Sequence, residues 1–372
     1  MSVKEYLIVG AGFSGAVIAE QLSKHIDCHI TVIDERNHIA GNCHTERDAS
    51  TGIMVHSYGP HIFNTDNEKV WKYINQFGAF KNYTHRVKAV YQQKVYSLPI
   101  NLHTINQFFG KSFSPAEAEA FVSSLGAKID EPANFEEQAI KMIGADLYRA
   151  FIYGYTRKQW GCEPRELPAA IIKRLPLRFN YNDSYYHGRY FGIPEQGYSA
   201  IIERMLAHDS IEVRLNTKFD ADYNTAGYDH VFYTGPIDAY FNYCYGRLGY
   251  RTVTFDRFET EGDFQGVSQM NYCDEDIPHT RIVEYKHFTP WEHHQKTVYF
   301  KEYSKETASD DVPYYPKRLS EDMDRLERYQ DEVAQLGNVS FLGRLATYRY
   351  MDMHHVIDEA LRLAGEFIAK NN

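Results

Sequence analysis

Six residues, Gly10-Ala-Gly-Phe-Ser-Gly15, constrain this chain more than any others. A short apolar run (Glu5-Tyr-Leu-Ile-Val) precedes them and reads as a buried strand. Residues Ala16 to Lys24 follow with apolar side chains at helical spacing. A second strand-like run, His29 to Asp34, ends in an acid nineteen residues beyond Gly15. Strand, glycine turn, helix, strand and acid together are the dinucleotide-binding fingerprint in its required context. The glycines make the tight turn and let a pyrophosphate approach the backbone. The helix start offers free N–H groups to the anion, and the acid can accept from ribose hydroxyls. Gly10, Gly12, Phe13, Ser14, Gly15 and Asp34 are therefore cofactor candidates. The continuation Glu35-Arg36-Asn-His-Ile-Ala40-Gly41-Asn42 favours FAD over NAD, because FAD-binding chains of this type often follow the ribose acid with a basic residue and a small-residue pair.

The rest of the chain reads as compact, without repeats or long linkers. Residues 66–77 carry helical spacing, and 86–98 alternate as strands. From about 104 to 160 the pattern is helical, with Ser114 and Asn134 as candidate N-caps. Residues 198–206 and 320–335 are further helices. Residues 211–216, 230–234 and several runs between 250 and 303 are strands. A late strand (339–342), a Gly343-Arg344 turn and a helix from Asp352 to Ile368 close the chain. An early βαβ unit and a late strand–turn–helix suit one discontinuous domain. The expected fold class is α/β with a mixed α+β character. A discontinuous FAD-binding Rossmann-like domain (1–80, 205–240, 338–372) is joined by an inserted helical domain (101–173) and an antiparallel β-sheet domain (81–100, 174–204, 241–337).

The net charge of −10 argues against a nucleic-acid binder, which needs a basic face. Five scattered cysteines without a CxxC pair give neither a disulfide framework nor a zinc site. The adjacent pairs His293-His294 and His354-His355 lack the spacing of a helical metal site, so no metal is expected. No signal peptide or membrane-length apolar run is visible, and the expectation is a cytoplasmic protein.

Several longer segments then carry a resemblance: GAGFSGAVIAEQL, VIDERNHIAGN, YGPHIF, SLPINLHTINQFFGK, GYTRKQWG, ELPAAIIKRLP, YTGP, NYCDEDIPHTRI, YYP and GRLATYRYMDMH. Along nearly its whole length the chain resembles the bacterial UDP-galactopyranose mutases. The resemblance implies FAD, active when reduced, and interconversion of UDP-galactopyranose and UDP-galactofuranose for cell-surface polysaccharide. In that scheme flavin N5 attacks the anomeric carbon, the nucleoside diphosphate leaves, and it returns after the ring has reopened and closed. NAD(P)H or another reductant would reduce the flavin, and relatives are often homodimers.

The resemblance also assigns residues. Phe151, Tyr155, Thr156 and Trp160 would form the base pocket; read alone, their helical spacing is that of an aromatic core. Arg174, in the basic Pro-bounded loop Ile171-Ile-Lys-Arg-Leu-Pro, and Arg281 would grip the diphosphate with guanidinium forks and serve catalysis. Arg251 is a third candidate. Tyr185, Tyr315 and Tyr350 would reach phosphate oxygens, and Asn271 would face the substrate. His61, Ile62, Phe219, Arg344, Asp352, Met353 and His354 match segments that line the cofactor. Two departures stand out: Asn64 replaces a second histidine usual in relatives, and Ala40 replaces a glycine. His85 replaces an asparagine found in some relatives. The Asn64 change leaves the sugar open, so a sister mutase acting on dTDP-fucopyranose is an alternative. An FAD amine oxidase or desaturase would share the fingerprint without needing Trp160, Arg174 and Arg281 together, and a noncatalytic nucleotide-sugar binder is a further alternative.

Overall fold

The structure, a computed structural model, describes residues 3–174 and 177–371. Its first layer is an all-parallel sheet of five strands, ordered Ile211–Arg214, Cys28–Ile33, Lys4–Val9, His230–Tyr233 and Val339–Phe341. The central strands are near-continuous apolar runs because both faces are covered, one by helices and the other by a cluster that includes Phe219, Tyr223, Tyr228 and Tyr240. The helix Phe13–His25 buries Ala16, Val17, Ile18 and Leu22 against this sheet, together with Ile357, Ala360 and Ala364 of the C-terminal helix Met353–Asn371. Chain order runs outward on both sides of Lys4–Val9. The topological switch point therefore lies at the end of that strand, where Gly10–Gly12 turn.

The second layer is a seven-stranded sheet, ordered Tyr315–Pro316, Tyr250–Glu261, Lys296–Glu306, Arg281–Glu284, Gln269–Tyr272, Val87–Tyr91 and Lys94–Leu98. The expected antiparallel sheet is in fact mixed, because Gln269–Tyr272 pairs with Val87–Tyr91 in parallel. Those two strands are joined through the whole helical insertion, a crossover long enough for parallel pairing. One row of this sheet matters for the site. Glu302, Arg281 and Asn271 are direct cross-strand partners, so their side chains share a face.

Packed in one cluster with Ala89 and Tyr96 of the mixed sheet are the helices Leu102–Phe109, Pro115–Leu125, Phe135–Tyr148 and Gly154–Trp160. Asn134 caps the third, and Ser114 forms a capping box with Glu117 at the second. A single π-turn, Arg149–Tyr153, joins the third helix to the fourth. Its wider winding shifts the helix register just where Phe151 sits, and such turns occur often at functional sites.

One domain boundary expected from sequence falls inside a helix. The helix Gly197–Leu206 straddles the 204/205 boundary, and its Tyr198, Ile201 and Ile202 pack in the parallel-sheet core. Residues 197–204 therefore belong with the cofactor domain. The C-terminal helix starts at Met353 rather than Asp352, and the strand expected at 211–216 ends at Arg214. Among the described residues no helix is long and apolar enough to cross a membrane.

Candidate active site

A cleft of about 1560 Å³ runs from the switch point of the parallel sheet to the helical segment. That size exceeds most small-ligand pockets and suits two ligands end to end. Gly10, Gly12, Phe13 and Ser14 line one end with Asp34, Glu35, Arg36 and Asn42. Gly10 has φ +105°, and a Cβ there would stand 2.0 Å from Thr234 Oγ1. Only glycine serves at such a position. Gly12 is different. A Cβ there would meet nothing closer than Gly41 Cα at 3.9 Å, so its bareness keeps the cleft wall open rather than the fold intact. Gly15 does not line the cleft. A Cβ on it would stand 2.0 Å from Gly10 O, so this glycine lets helix and strand approach each other.

Asp34 accepts from Ala11 N at 2.9 Å and from Arg36 N at 3.0 Å, which ties the fingerprint turn to the loop after the second strand. The Arg36 guanidinium lies 4.5 Å from the Tyr58 ring centroid and donates to Asn42 Oδ1 at 2.8 Å. Its Nη1 is buried without a hydrogen-bond partner. A glycine cradle, a helix start and an unpaired buried guanidinium nitrogen on one wall are the donor set a dinucleotide diphosphate requires. The residues present thus fit FAD.

Phe219, stacked on Tyr240 at 5.7 Å, continues this end. Arg344 is fixed by Tyr314 O at 3.2 Å and Met351 O at 2.8 Å. Asp352, Met353 and His354 bring the start of the C-terminal helix to the cleft wall. There the ligating atoms of Asp352, His354 and His355 come within 4.8 Å of one another, closer than spacing alone suggested. Ile62 and His61 line the middle. Burial depresses the His61 imidazole to about 4, with Arg344 and Arg281 adding to the fall, and its Nδ1 lies 2.8 Å from Gly59 O. His61 is therefore neutral near pH 7.

At the far end the helix Gly154–Trp160 presents Tyr155, Thr156 and Trp160 to the cleft. Phe151 reaches it from the π-turn and also packs edge-on against Tyr96 at 5.0 Å. Two clamps hold this helix on the mixed sheet. Lys158 Nζ lies 2.8 to 3.2 Å from four carbonyls of the turn 272–279, those of Tyr272, Asp274, Ile277 and His279, which share its three N–H donors. Arg251 is the second clamp, and its position corrects the sequence expectation. It is 3 % exposed, does not line the cleft, and donates to Gln159 O at 3.1 Å and Lys158 O at 3.4 Å while pairing with Glu306 at 2.9 Å. Arg251 caps the carbonyl end of the helix Gly154–Trp160, where a cation is favoured. A Cβ on Gly161 would stand 2.3 Å from its Nη1.

Between the two ends lie Arg281, Asn271, Tyr185, Tyr315 and Tyr350. Arg281 is ion-paired through Nε to Glu302. Asn271 Oδ1 accepts from Gln269 Nε2 at 3.0 Å. Tyr315 and Tyr350 stack at 5.9 Å, and the Arg344 guanidinium lies 5.6 and 5.3 Å from their ring centroids. Burial pushes the Tyr155 and Tyr185 hydroxyls above their ordinary range and that of Tyr350 to about 12. All three remain protonated donors at neutral pH, suited to phosphate oxygens. The side chain of Arg174 lies outside the described residues; its backbone ends the short 3₁₀ run Ala169–Arg174.

The cleft also contains residues not singled out as ligands from sequence. Tyr58, Tyr186, His187 and Gln159 line it, as do Asn64 and His85. Asn64 Oδ1 accepts from Gly188 N at 2.8 Å, and a Cβ on Gly188 would stand 2.3 Å from that oxygen. Asn64 thus pins the strap 185–188 against the cleft. His85 is buried, stacked on Tyr186 at 5.8 Å, and held by burial at about 3. Adjacency to Tyr185 could have flagged Tyr186 and His187, and membership of YGPHIF and GYTRKQWG could have flagged Tyr58 and Gln159.

Residues 150–350 of the chain match the UDP-galactopyranose mutase family, and residues 8–77 match the NAD(P)-binding Rossmann-like domain. The chain is 52 % identical over 370 residues to a probable UDP-galactopyranose mutase of Klebsiella pneumoniae, covering 99 % of this chain and 96 % of the relative. The chain belongs to the UDP-galactopyranose mutase family. It is 47 % identical over 377 residues to a dTDP-fucopyranose mutase of Escherichia coli, with both chains covered completely. A solved reduced UDP-galactopyranose mutase superposes with a TM-score of 0.77 at 13 % identity, over 100 % of this chain and 95 % of that one. A redesigned putrescine oxidase superposes at 0.58 and 13 % identity, over 99 % and 100 %, which is a likeness of fold alone. The family makes this chain a flavin-dependent nucleotide-sugar pyranose/furanose mutase, an isomerase, and with the Rossmann match it implies FAD.

Proposed function

We propose that the substrate is UDP-galactopyranose and the product UDP-galactofuranose. The observation that carries this reading is the continuity of the cleft. One wall runs from the glycine cradle, past His61 and Arg344, to Arg281 and then to the aromatic helix. A nucleotide sugar laid along it has its base against Phe151 and Trp160, with Thr156 at the base edge. Its diphosphate lies by Arg281 and the Tyr155, Tyr185, Tyr315 and Tyr350 hydroxyls. Its sugar lies between Asn271, His61 and the cofactor end. When bound and reduced, the flavin supplies a nucleophilic ring nitrogen for the anomeric carbon without net electron transfer. The chain's own task is to hold and release charge. Arg281 offers its terminal nitrogens to the diphosphate as negative charge grows there, and Arg174 serves as the second cation of that clamp. The tyrosine hydroxyls donate to the same oxygens, and the flanking aromatics exclude water. Holding the FAD falls to Gly10, Gly12, Phe13, Ser14, Asp34, Glu35, Arg36 and Asn42. Ile62, Phe219, Arg344, Asp352, Met353 and His354 complete that set.

A second reading, dTDP-fucopyranose as substrate, is favoured by Asn64 and by the full-length likeness to the Escherichia coli relative. Asn64 is turned to the strap through Gly188, which leaves less polar reach toward a sugar 6-hydroxyl than a free histidine would. Dithionite-reduced protein is incubated with UDP-galactopyranose and dTDP-fucopyranose separately, and furanose formation is followed by chromatography. Turnover of the first at the higher kcat/KM supports the proposal. Preference for the second replaces it, and equal rates with oxidised protein reject both.

A further inference from the structure

The clamp arginine carries a partner that the reaction scheme does not use. Glu302 is the cross-strand neighbour of Arg281, is 1 % exposed, and takes Arg281 Nε in a hydrogen-bonded ion pair. Its second oxygen, Oε1, is buried and has no hydrogen-bond partner. Gly59 closes over the pair, and a Cβ there would stand 3.7 Å from both Arg281 Nη2 and Glu302 Oε1. Among the described residues no other carboxylate pairs with Arg281, and its two terminal nitrogens have no partner.

A buried, half-satisfied carboxylate is a poor stabilising device. Such pairs are often replaced by apolar residues at no loss. Its place behind the clamp suggests another purpose. The nucleoside diphosphate is part of both substrate and product and must be gripped and let go in each turnover. An uncompensated cation would bind every state alike, and uniform binding lowers KM without raising kcat. A counter-charge removes much of the long-range attraction, while the directional contact of the guanidinium fork remains.

We propose that Glu302 is the positioning residue and counter-charge of the diphosphate clamp. It holds Arg281 by Nε so that the terminal fork faces the cleft, and it offsets the guanidinium charge so that the diphosphate is released. The proposal rests on the reading of Arg281 as a diphosphate ligand.

The experiment uses the FAD-loaded enzyme and its Glu302→Gln, Glu302→Asp and Arg281→Lys variants. UDP is the binding probe, with dTDP in parallel. Flavin absorbance and thermal midpoint report the fold. Glu302→Gln keeps shape but not charge. It is expected to bind UDP about fivefold or more tightly, with kcat down about tenfold, because the clamp now retains its ligand. A residue that merely supports the fold would weaken binding and kcat together. UDP bound equally or more weakly by Glu302→Gln overturns the inference, provided Arg281→Lys still weakens UDP at least about fivefold. If Arg281→Lys leaves UDP affinity and kcat within about twofold, the diphosphate reading of Arg281 itself fails. Should Glu302→Gln lose its flavin, Glu302→Asp decides. Charge kept and reach shortened should hold UDP affinity within about twofold while kcat falls at least about fivefold; a joint fall overturns the inference.

Discussion

At the cofactor end of the cleft the wall is largely backbone from one contiguous stretch, Gly10 to Ser14, with a second stretch, Asp34 to Asn42, folded against it. At the substrate end the wall is side chains, and they come from segments near residues 155, 185, 271, 281, 315 and 350. A backbone site needs an exact chain path, which a few glycines and one acid can specify locally. A side-chain site needs several elements packed at fixed separations, which no local run can specify. The two ends should therefore fail differently.

The largest effect is expected at the first. Gly12→Val places its side chain in open cleft, so the fold should survive while the diphosphate of FAD is shut out. Purified variant should be folded and colourless. Gly15→Val instead collides with Gly10 O and should lose the sheet itself. A yellow Gly12→Val protein would break the contrast between the ends.

At the substrate end, Arg281→Ala should leave the FAD spectrum intact and cost ~3–4 kcal/mol of transition-state stabilisation, roughly 10²–10³-fold in kcat/KM. Arg174→Ala should behave alike if the loop closes over the diphosphate. A loss under about threefold at Arg281 would remove the clamp from this end.

Acid stability sharpens the comparison, because the buried His56 and His85 and the half-buried, cleft-lining His61 lie around the middle and substrate end. Burial holds His56 and His85 at about 3 and His61 at about 4. Unfolded histidine takes its proton near pH ~6.5. Below that pH the unfolded chain binds protons that the folded chain refuses, so stability is full above ~6.5 and falls as pH drops toward the folded values. Each buried histidine should contribute about 1–3 kcal/mol to that fall, read as a lower urea midpoint at pH 5 than at pH 7.5. A flat midpoint would show that these rings are not held neutral.

Trp160→Ala should weaken UDP binding by ~1–3 kcal/mol if the indole stacks on the base. Unchanged affinity returns Trp160 to the aromatic core. The smallest effect on binding is expected at Arg251. Its substitution by Met should shift UDP affinity by less than about threefold, yet lower the thermal midpoint, because the base helix loses its carbonyl-end donors. Glu306, the acid left behind, is 59 % exposed and stays hydrated. A diphosphate-sized loss at Arg251→Met would reinstate it as a ligand.

The parallel sheet, the capped helices and the fingerprint were legible because each rests on short-range rules: buried runs, N-cap chemistry and a glycine turn. The site was legible only in part. Arg251 and Arg281 look equivalent in sequence, each an arginine in a strand-like run. Their strands sit on either side of the strand Lys296–Glu306 in the mixed sheet, so one reaches the cleft and the other the back of the base helix. Tyr58 and Gln159 stand in the segments YGPHIF and GYTRKQWG, but only the folding of distant elements onto one cleft shows that they line it.

By itself, then, the sequence determined the backbone cradle, since a glycine with positive φ and an acid at fixed distance act within one βαβ unit. The tertiary structure alone decided which arginine reaches the cleft and which carboxylate stands behind it. That choice depends on strand order and register across a sheet whose partners lie far apart along the chain, and register is set by packing rather than by any local run.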